Sequence, residues 1–433
     1  MWIYERYDWM NFTWDKDKVF ALAEAVSSRI GYLHGRVAAL ADDDRDGASV
    51  EILTRDIVAS FKIEGISLNT DDVRSSIVNR LGVTNIQTTG SSSHFMVGVV
   101  DMMLDATRNY NTPLERERIF GWHMALFPSG HSGAYPITVG DYRKGDVQVV
   151  SGSMGHEKVH FIAPPHSDVN DYMEEFMYWF NHTTGTSNII KSAISHLIFV
   201  SIHPFDDGNG RIGRAIADMA LAGIDAGQGR FFSMSRELEK EKKEYYDILE
   251  KTQRFCHDGD ITPWLEWYIG CLGRAVEDSL EILSGILNKS VFWREFSSVK
   301  FSVRQRKVLN IYLDGKEAKI TAQNWSRLGA TSLDTAIRDI ADLVSKGVLT
   351  PYPGKVRKVE YSINYVKTET FLTHFKDIRL VKEDRGCYLS ACYDGNEVRE
   401  RISDLDHEQY KSGNLTYNDL IHKYMAYLSS TND

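Results

Sequence analysis

The stretch from Ser201 to Arg214 constrains the fold more than any other, because it gathers nearly all the polarity of its neighbourhood between two apolar segments. Before it, Ile190, Ala193, Ile194, Leu197 and Ile198 recur at helical spacing; after it, Ile212, Ala215, Ile216, Met219 and Ala220 do the same. The pattern predicts a helix, a loop and a second helix. Pro204 stops the first helix with His203 at its C-terminal end, and Gly208, Asn209 and Gly210 give permissive backbone just ahead of the second.

That placement carries chemistry. Unpaired N–H groups at a helix N-terminus make a cradle for phosphate. Arg211 and Arg214 fall at i and i+3 in the first turn, where the helix dipole disfavours cations, a conflict that a bound polyanion offsets. Asp207 can hold a divalent ion against phosphates, since hard oxygen ligands suit Mg2+. His203 can take a proton from an attacking hydroxyl. Singly, each residue has an ordinary reading: a His beside Pro caps a helix, an Asp before Gly makes a turn, and paired Arg residues face solvent. Their order is what points to nucleotide chemistry.

That order, His-Pro-Phe-x-Asp-Gly-Asn-Gly-Arg-x-x-Arg from His203 to Arg214, resembles without departure the signature of the Fic family, enzymes that transfer AMP from ATP to protein hydroxyls. The resemblance implies His203 as general base, Phe205 as the apolar anchor of the loop and Asp207 as the Mg2+ ligand. It further implies Gly208, Asn209 and Gly210 as the anion hole, Arg211 on the α and β phosphates of ATP, and Arg214 on the γ phosphate. The implied core is a Fic-type helical fold with a β-hairpin flap, and the whole chain is expected to be mainly α, with an N-terminal helical region and a C-terminal winged-helix-like domain read from their own patterns.

At 433 residues the chain predicts about two to four domains. We place their boundaries at 1–110, 111–290, 291–365 and 366–433. A formal charge of −10 argues against a surface that coats nucleic acid or anionic membrane, while leaving room for a local basic module. Cys256, Cys271, Cys387 and Cys392 form no CxxC pair and no zinc spacing, which fits reduced thiols. No run approaches the ~18 apolar residues of a membrane helix, so a cytoplasmic protein without a membrane partner is expected.

In the N-terminal region, Trp2, Tyr4, Tyr7, Trp9, Phe12 and Trp14 read as core. A helix carries Val19, Leu22, Ala23, Val26 and Ile30; Asp42 to Gly47 reads as a polar break, and a second helix with Val50, Leu53, Ile57, Val58 and Phe61 closes on Gly65. Glu64 then lies near a helix C-terminus, where an anion is disfavoured. Ser60, Glu64 and Gly65 resemble the Ser/Thr-x-x-x-Glu-Gly/Asn inhibitory helix of many Fic proteins. This resemblance implies that Glu64 pairs with Arg214 and fills the space of the γ phosphate.

Farther along, Thr112 and Pro113 predict a helix start with Ile119, Trp122, His123 and Leu126 inward, His123 being a packed histidine. Residues 128–136 read as a Gly- and Ser-rich loop. Residues 146–162 read as a hairpin, which with the preceding Gly140 to Arg143 resembles the family flap that pairs by main chain with the segment bearing the target hydroxyl. Tyr245, Tyr246, Leu249 and Gln253 resemble the helix that contacts adenosine, although aromatics so spaced also read as core. Thr262 and Pro263 open a further helix.

The last third begins with a Ser302/Gln305 capping box, followed by helices from Thr321 and from Ser332, a turn at Gly329 between them, and a strand pair around Pro353 and Gly354. This order resembles a winged helix. Residues 300–361 hold twelve Lys or Arg against six Asp or Glu, a local +6 that suits DNA, and winged helices also dock proteins. Beyond it, a hairpin at Asp394 to Asn396 and a helix after Thr416 are expected without an assigned role, and a homodimer stays open. The reading is an AMP transferase using Mg-ATP on a Ser, Thr or Tyr hydroxyl. Its alternatives are an enzyme that removes AMP, a transfer of another group, or a DNA-binding regulator with a Fic sensor core.

Overall fold

The computed structural model describes residues 1–38, 40, 42–84, 86, 88, 90–91, 93–151, 158–224, 230–255, 258–313, 319–352, 359–364, 375–383, 386–393, 396–402 and 407. It is mostly helical and divides into two compact units, 1–280 and 281–433. The first unit contains α1 (Lys16–Ala38), α2 (Asp42–Ile63), α3 (Thr70–Leu81), α4 (His94–Arg108) and α5 (Arg116–Leu126). Two small ribbons follow, β1 (His131–Ser132) with β2 (Tyr135–Pro136), and β3 (Gln148–Ser151) with β4 (Lys158–Ile162), both antiparallel. Then come α6 (Val169–His182), α7 (Asn188–Ile202), α8 (Asn209–Ala222), α9 (Met234–Lys240), α10 (Lys242–Phe255) and α11 (Thr262–Glu295), whose range contains the unit boundary.

The two helices on either side of the polar loop are the centre of the first unit. Leu197, Ile198, Phe199 and Ile202 of α7, and Ile212, Ala215 and Ile216 of α8, are fully buried. Each large apolar side chain so buried contributes about 1.5–3 kcal/mol, and together they fix where the loop between them must lie. The Ser187 hydroxyl caps α7 by accepting from the Ile190 N–H at 3.3 Å. On α11 the Trp264 indole donates to the Ala193 carbonyl at 2.9 Å, tying α11 to the same pair. Helix α2 is moored to α9: the buried Asp56 carboxylate accepts from the Ser233 hydroxyl at 2.6 Å and the Ser235 N–H at 3.2 Å.

Several sequence expectations need correction. The acidic run from Asp42 is the first turn of α2 rather than a break, because three aspartates at a helix N-terminus complement its dipole. The helix after Pro113 starts at Arg116, since the Leu114 main chain is held by Asn181, which accepts from its N–H at 2.8 Å and donates to its carbonyl at 2.9 Å. Of the opening aromatics only Trp9 is buried; Tyr7 is fully exposed, and Trp2 and Tyr4 lie half-buried, edge-on to Phe161 of β4. The loop at 128–136 contains the β1–β2 ribbon.

In the second unit, α12 (Val303–Leu313), α13 (Ala322–Gly329) and α14 (Leu333–Ser345) precede the antiparallel pair β5 (Leu349–Pro351) and β6 (Tyr361–Ile363). A separate three-stranded sheet has the order β7 (Phe375–Glu383), β8 (Gly386–Tyr393), β9 (Asn396–Arg401). The Ser302 and Gln305 capping box forms reciprocally, at 2.8 and 3.1 Å. Ala330, rather than Gly329, takes the left-handed cap of α13. Trp325 is wholly buried among Val308, Leu309, Ile340 and Leu343. The hairpin turns expected at 152–155, 353–354 and 394–395, the helix after Thr416 and Cys256 lie outside the described residues. Among the described residues no helix is long and apolar enough to cross a membrane.

Trp325→Ala is expected to cost about 3–5 kcal/mol. Calorimetry should show the unfolding of the second unit moved down in temperature, with amide exchange in α7 of the first unit unchanged; a uniform shift of both would contradict the division.

Candidate active site

Between α7 and α8 the chain makes an over-determined turn. His203 caps α7 in the left-handed region, φ 52°, a conformation that strains any residue but glycine. Arg143 holds it there. Buried among carbonyls, its guanidinium donates to the oxygens of His203 at 2.8 Å, Gly145 at 2.8 Å and Pro164 at 2.5 Å, while its N–H donates to Pro204 at 2.9 Å. One side chain thus fixes the loop and the base of the β3–β4 ribbon together.

The rest of the loop is equally braced. Asn209 closes it from within, accepting from the Phe205 N–H at 3.0 Å and donating to the Phe205 carbonyl at 2.8 Å. Phe205 is fully buried and stacks on His123 at 4.1 Å. The His123 Nδ1 accepts from the Gly140 N–H at 3.3 Å, which leaves Nε2 to donate to the Asp207 carbonyl at 3.1 Å. Gly208, φ 89°, caps α8, and a methyl there would press on Phe127 at 2.9 Å. Permissive backbone is therefore required at this point for a steric as well as a conformational reason.

Glu64 and Arg214 meet at the first turn of α8. Arg214, 3% exposed, donates to the Glu64 carboxylate at 2.8 Å, the Ser60 hydroxyl at 2.9 Å and the Ser60 carbonyl at 2.8 Å. Burial opposes the Arg214 charge, but Glu64 outweighs it and raises the pKa above its usual value. Gly65, φ 78°, turns the chain after α2. The Glu64 carboxylate lies so close over Gly210 that an added methyl there would collide with it. A carboxylate thus stands where a helix N-terminus favours an anion.

Asp207 has both carboxylate oxygens engaged: Oδ1 accepts from the Gly208 N–H at 2.5 Å and from Arg211 at 3.2 Å, and Oδ2 accepts from the Ser132 hydroxyl. Arg211 is buried, yet its Nε has no hydrogen-bond partner among the described residues, and neither has the Arg214 Nη1. A cavity of about 370 Å³ opens on Asp207 and Arg211, bounded also by Ile66, Phe95, Phe127 and Ser132. His203 is pushed down to about 4, first by burial and then by the Arg143 charge. Its ring keeps some solvent access, which tempers that depression. Its Nδ1 lies 3.2 Å from the Val200 carbonyl, so Nδ1 carries the proton and Nε2 keeps the lone pair.

Residues suggested for adenosine divide. Tyr245 and Gln253 turn inward, the Tyr245 hydroxyl bonding His196 at 2.9 Å and the Gln253 amide donating to Ser201 at 3.0 Å; Leu249 is buried beside them. Tyr246 is 38% exposed, with Glu64 and Arg214 within electrostatic reach. Of the four, it alone keeps a face for a ligand. Ser132 was missed because a serine in a short Gly- and Ser-rich loop carries no periodic signal, and the role of His123 in holding Asp207 was hidden by its ordinary core spacing.

The Fic/DOC family model matches residues 113–221, and a domain of unknown function (DUF4172) matches residues 2–83. The chain is similar to a protein adenylyltransferase Fic of Drosophila virilis, 24% identical over 232 residues, or 53% of this chain and 43% of that one. It is also similar to a uridine 5'-monophosphate transferase of Xanthomonas campestris, 32% identical over 117 residues, 25% of this chain and 21% of that one. The chain thus spans less than half the length of these curated relatives. A Fic family protein of Desulfovibrio desulfuricans G20 aligns with a TM-score of 0.46 at 17% identity, over 80% of this chain and 96% of the other.

Glu64→Ala leaves a buried guanidinium short of its counter-charge, at an expected cost of about 2–3 kcal/mol. Inorganic diphosphate should recover part of that loss, so its thermal shift is expected to be larger for the variant than for the parent. Equal shifts would separate the anion site from Arg214.

Proposed function

For a chain that carries a Fic/DOC domain, we propose transfer of AMP from Mg-ATP to a Ser, Thr or Tyr hydroxyl of a target protein, held in check by Glu64. The observation that carries this reading is the meeting of Glu64 with Arg214 at the N-terminus of α8, beside a His with a free Nε2 lone pair. The target hydroxyl gives its proton to Nε2 of His203 as its oxygen bonds to the α phosphorus, and diphosphate leaves with the electrons of the broken P–O bond. The N–H groups at the start of α8 and Arg211 meet the charge that develops on the phosphate oxygens. Two buried guanidinium nitrogens without partners among the described residues support a polyanionic ligand here.

The residues present fit a magnesium ion of the kind that shares substrate phosphates. Asp207 with the Ser132 hydroxyl beside it offers hard oxygens, and no cluster of three His, Cys, Asp or Glu among the described residues could hold an ion unaided. Asp207 would hold the ion, whose charge offsets that of the phosphates. Flap residues 146–162 would align the target segment, and Tyr246 would lie toward the adenosine.

For residues 300–361 we infer a protein partner ahead of DNA from the exposed side of α14. Leu333 and Ile337 are half exposed there, while Arg304, Lys346 and Lys319 pair within the unit with Asp339, Asp342 and Glu360. Submicromolar binding of duplex DNA with a steep salt dependence would reverse that preference.

With labelled ATP and Mg2+, Glu64→Gly is expected to transfer AMP to itself or to lysate proteins at least about tenfold faster than the parent, from release of the anion site. Adding His203→Ala should lower the rate about 10²–10⁴-fold. Label carried from UTP in place of ATP would change the nucleotide, and no transfer from either would overturn the reading. The pH profile offers a second check. His203 acts when neutral, and its folded pKa is depressed, so the acid limb of the rate should fall below pH 6 rather than near the usual histidine value. A limb centred near 6.5 would assign it to another group.

A further inference from the structure

The β3–β4 ribbon is irregular at one place, and that place makes a contact unrelated to the anion site. Val149 pairs with Phe161 and Val150 with Val159, so His160 is the extra residue of a bulge. Bulges re-aim the side chain at which they occur. Here the imidazole sits between two elements: Nδ1 lies 2.6 Å from the Glu250 carboxylate of α10, and Nε2 lies 2.6 Å from the Ser151 hydroxyl at the far end of β3. Lys158 adds a second contact to Glu250 at 3.4 Å, and Arg254 approaches the same carboxylate at 3.7 Å. Burial raises the Glu250 pKa, yet its bonds to His160 and Lys158 outweigh that and hold the carboxyl below its usual range. Serine, imidazole and carboxylate therefore form one chain across both strands and onto α10.

An apolar brace lies one residue away. Phe161 is buried under Trp2 and Tyr4, whose rings meet it edge-on at 5.3 and 6.1 Å, and Arg254 of α10 lies over the Trp2 ring at 5.3 Å. The base of the ribbon is separately fixed by Arg143, through the Gly145 and Pro164 carbonyls. A two-stranded ribbon is marginal by itself, so its setting depends on these attachments. Among the described residues, the polar chain and the Lys158 contact join the outer part of the ribbon to α10.

We propose that His160 and Glu250 are positioning residues that latch the β3–β4 ribbon onto α10 and so fix the edge against which a target segment pairs. The functional half of this proposal rests on the reading of the site as an AMP-transfer centre. Neither residue touches the reacting atoms. Their loss should disturb delivery of the protein hydroxyl more than attack by water, which needs no aligned segment.

The test is amide hydrogen exchange on the full chain, comparing the parent with His160→Ala, Glu250→Gln and the two combined. Glu250→Gln keeps the side-chain volume and serves if His160→Ala disturbs folding. Each single variant is expected to exchange the β3 and β4 amides about tenfold faster, the double variant no faster than either, with α7 and α8 unchanged. Unchanged exchange in the single variants, or a double effect equal to the product of the two, would overturn the latch. In a Glu64→Gly background, the latch variants should lower AMP transfer to protein relative to ATP hydrolysis by water; an unchanged ratio overturns the positioning role. Absence of any nucleotide reaction in that background overturns the transfer reading and the positioning role built on it, and the exchange data still decide the latch.

Discussion

A guanidinium buried at the beginning of a helix is the constraint from which much of this architecture follows. Arg214 is 3% exposed on the first turn of α8, where the helix dipole works against it. A charge in that position requires acceptors from elsewhere in the chain. All of those observed come from the end of α2: the Ser60 hydroxyl and carbonyl, and the Glu64 carboxylate. The closing turn of α2 therefore has to lie over α8, and its earlier part is held against α9 by Asp56. The N-terminal region is tied to the site by electrostatics as much as by apolar packing.

Around that pair, stiffness is spent on the loop. Its chain direction is set by Arg143, its width by Asn209, its floor by Phe205 on His123, and its Asp207 carbonyl by His123. On the proposed reading, main-chain N–H groups of this loop would stabilise developing negative charge and would have to be aimed before reaction, because reorientation during reaction would consume the stabilisation. The left-handed His203 is intelligible in these terms. A conformation costing about 1–2 kcal/mol persists because several independent bonds enforce it.

Much of this was legible in the sequence. The apolar spacing of α7 and α8 located the loop, because it is a local pattern with strong periodicity, whereas the meeting of Glu64 with Arg214 was implied only by the resemblance of Ser60, Glu64 and Gly65 to an inhibitory helix. What stayed hidden depends on contacts between distant segments. Nothing local marks Ser132 as the partner of Asp207, or His160 as the bulged residue that reaches Glu250. The opening aromatics misled for a related reason. Their density signals burial, but Trp2 and Tyr4 lie against the rim of a ribbon and Tyr7 against nothing, so composition alone overstated the core. Tyr245 and Gln253 face inward because His196 and Ser201 provide buried partners that no spacing rule reveals.

On the proposed reading, the same geometry bounds how strongly Glu64 would exclude an anion. The carboxylate follows the C-terminus of its own helix, which disfavours it, and stands at the N-terminus of another, which favours it. When it swings away, Arg214 need not lose everything, since Ser60 still supplies its hydroxyl and carbonyl. The difference between the closed and open arrangements is then about one charge-assisted hydrogen bond, some 1.5–3 kcal/mol. At 1.4 kcal/mol per decade, that corresponds to a penalty of about 10- to 150-fold on a competing phosphate. Such a restraint is graded rather than absolute. On that reading, rotation of the Glu64 side chain, with α2 left in place, would relieve it.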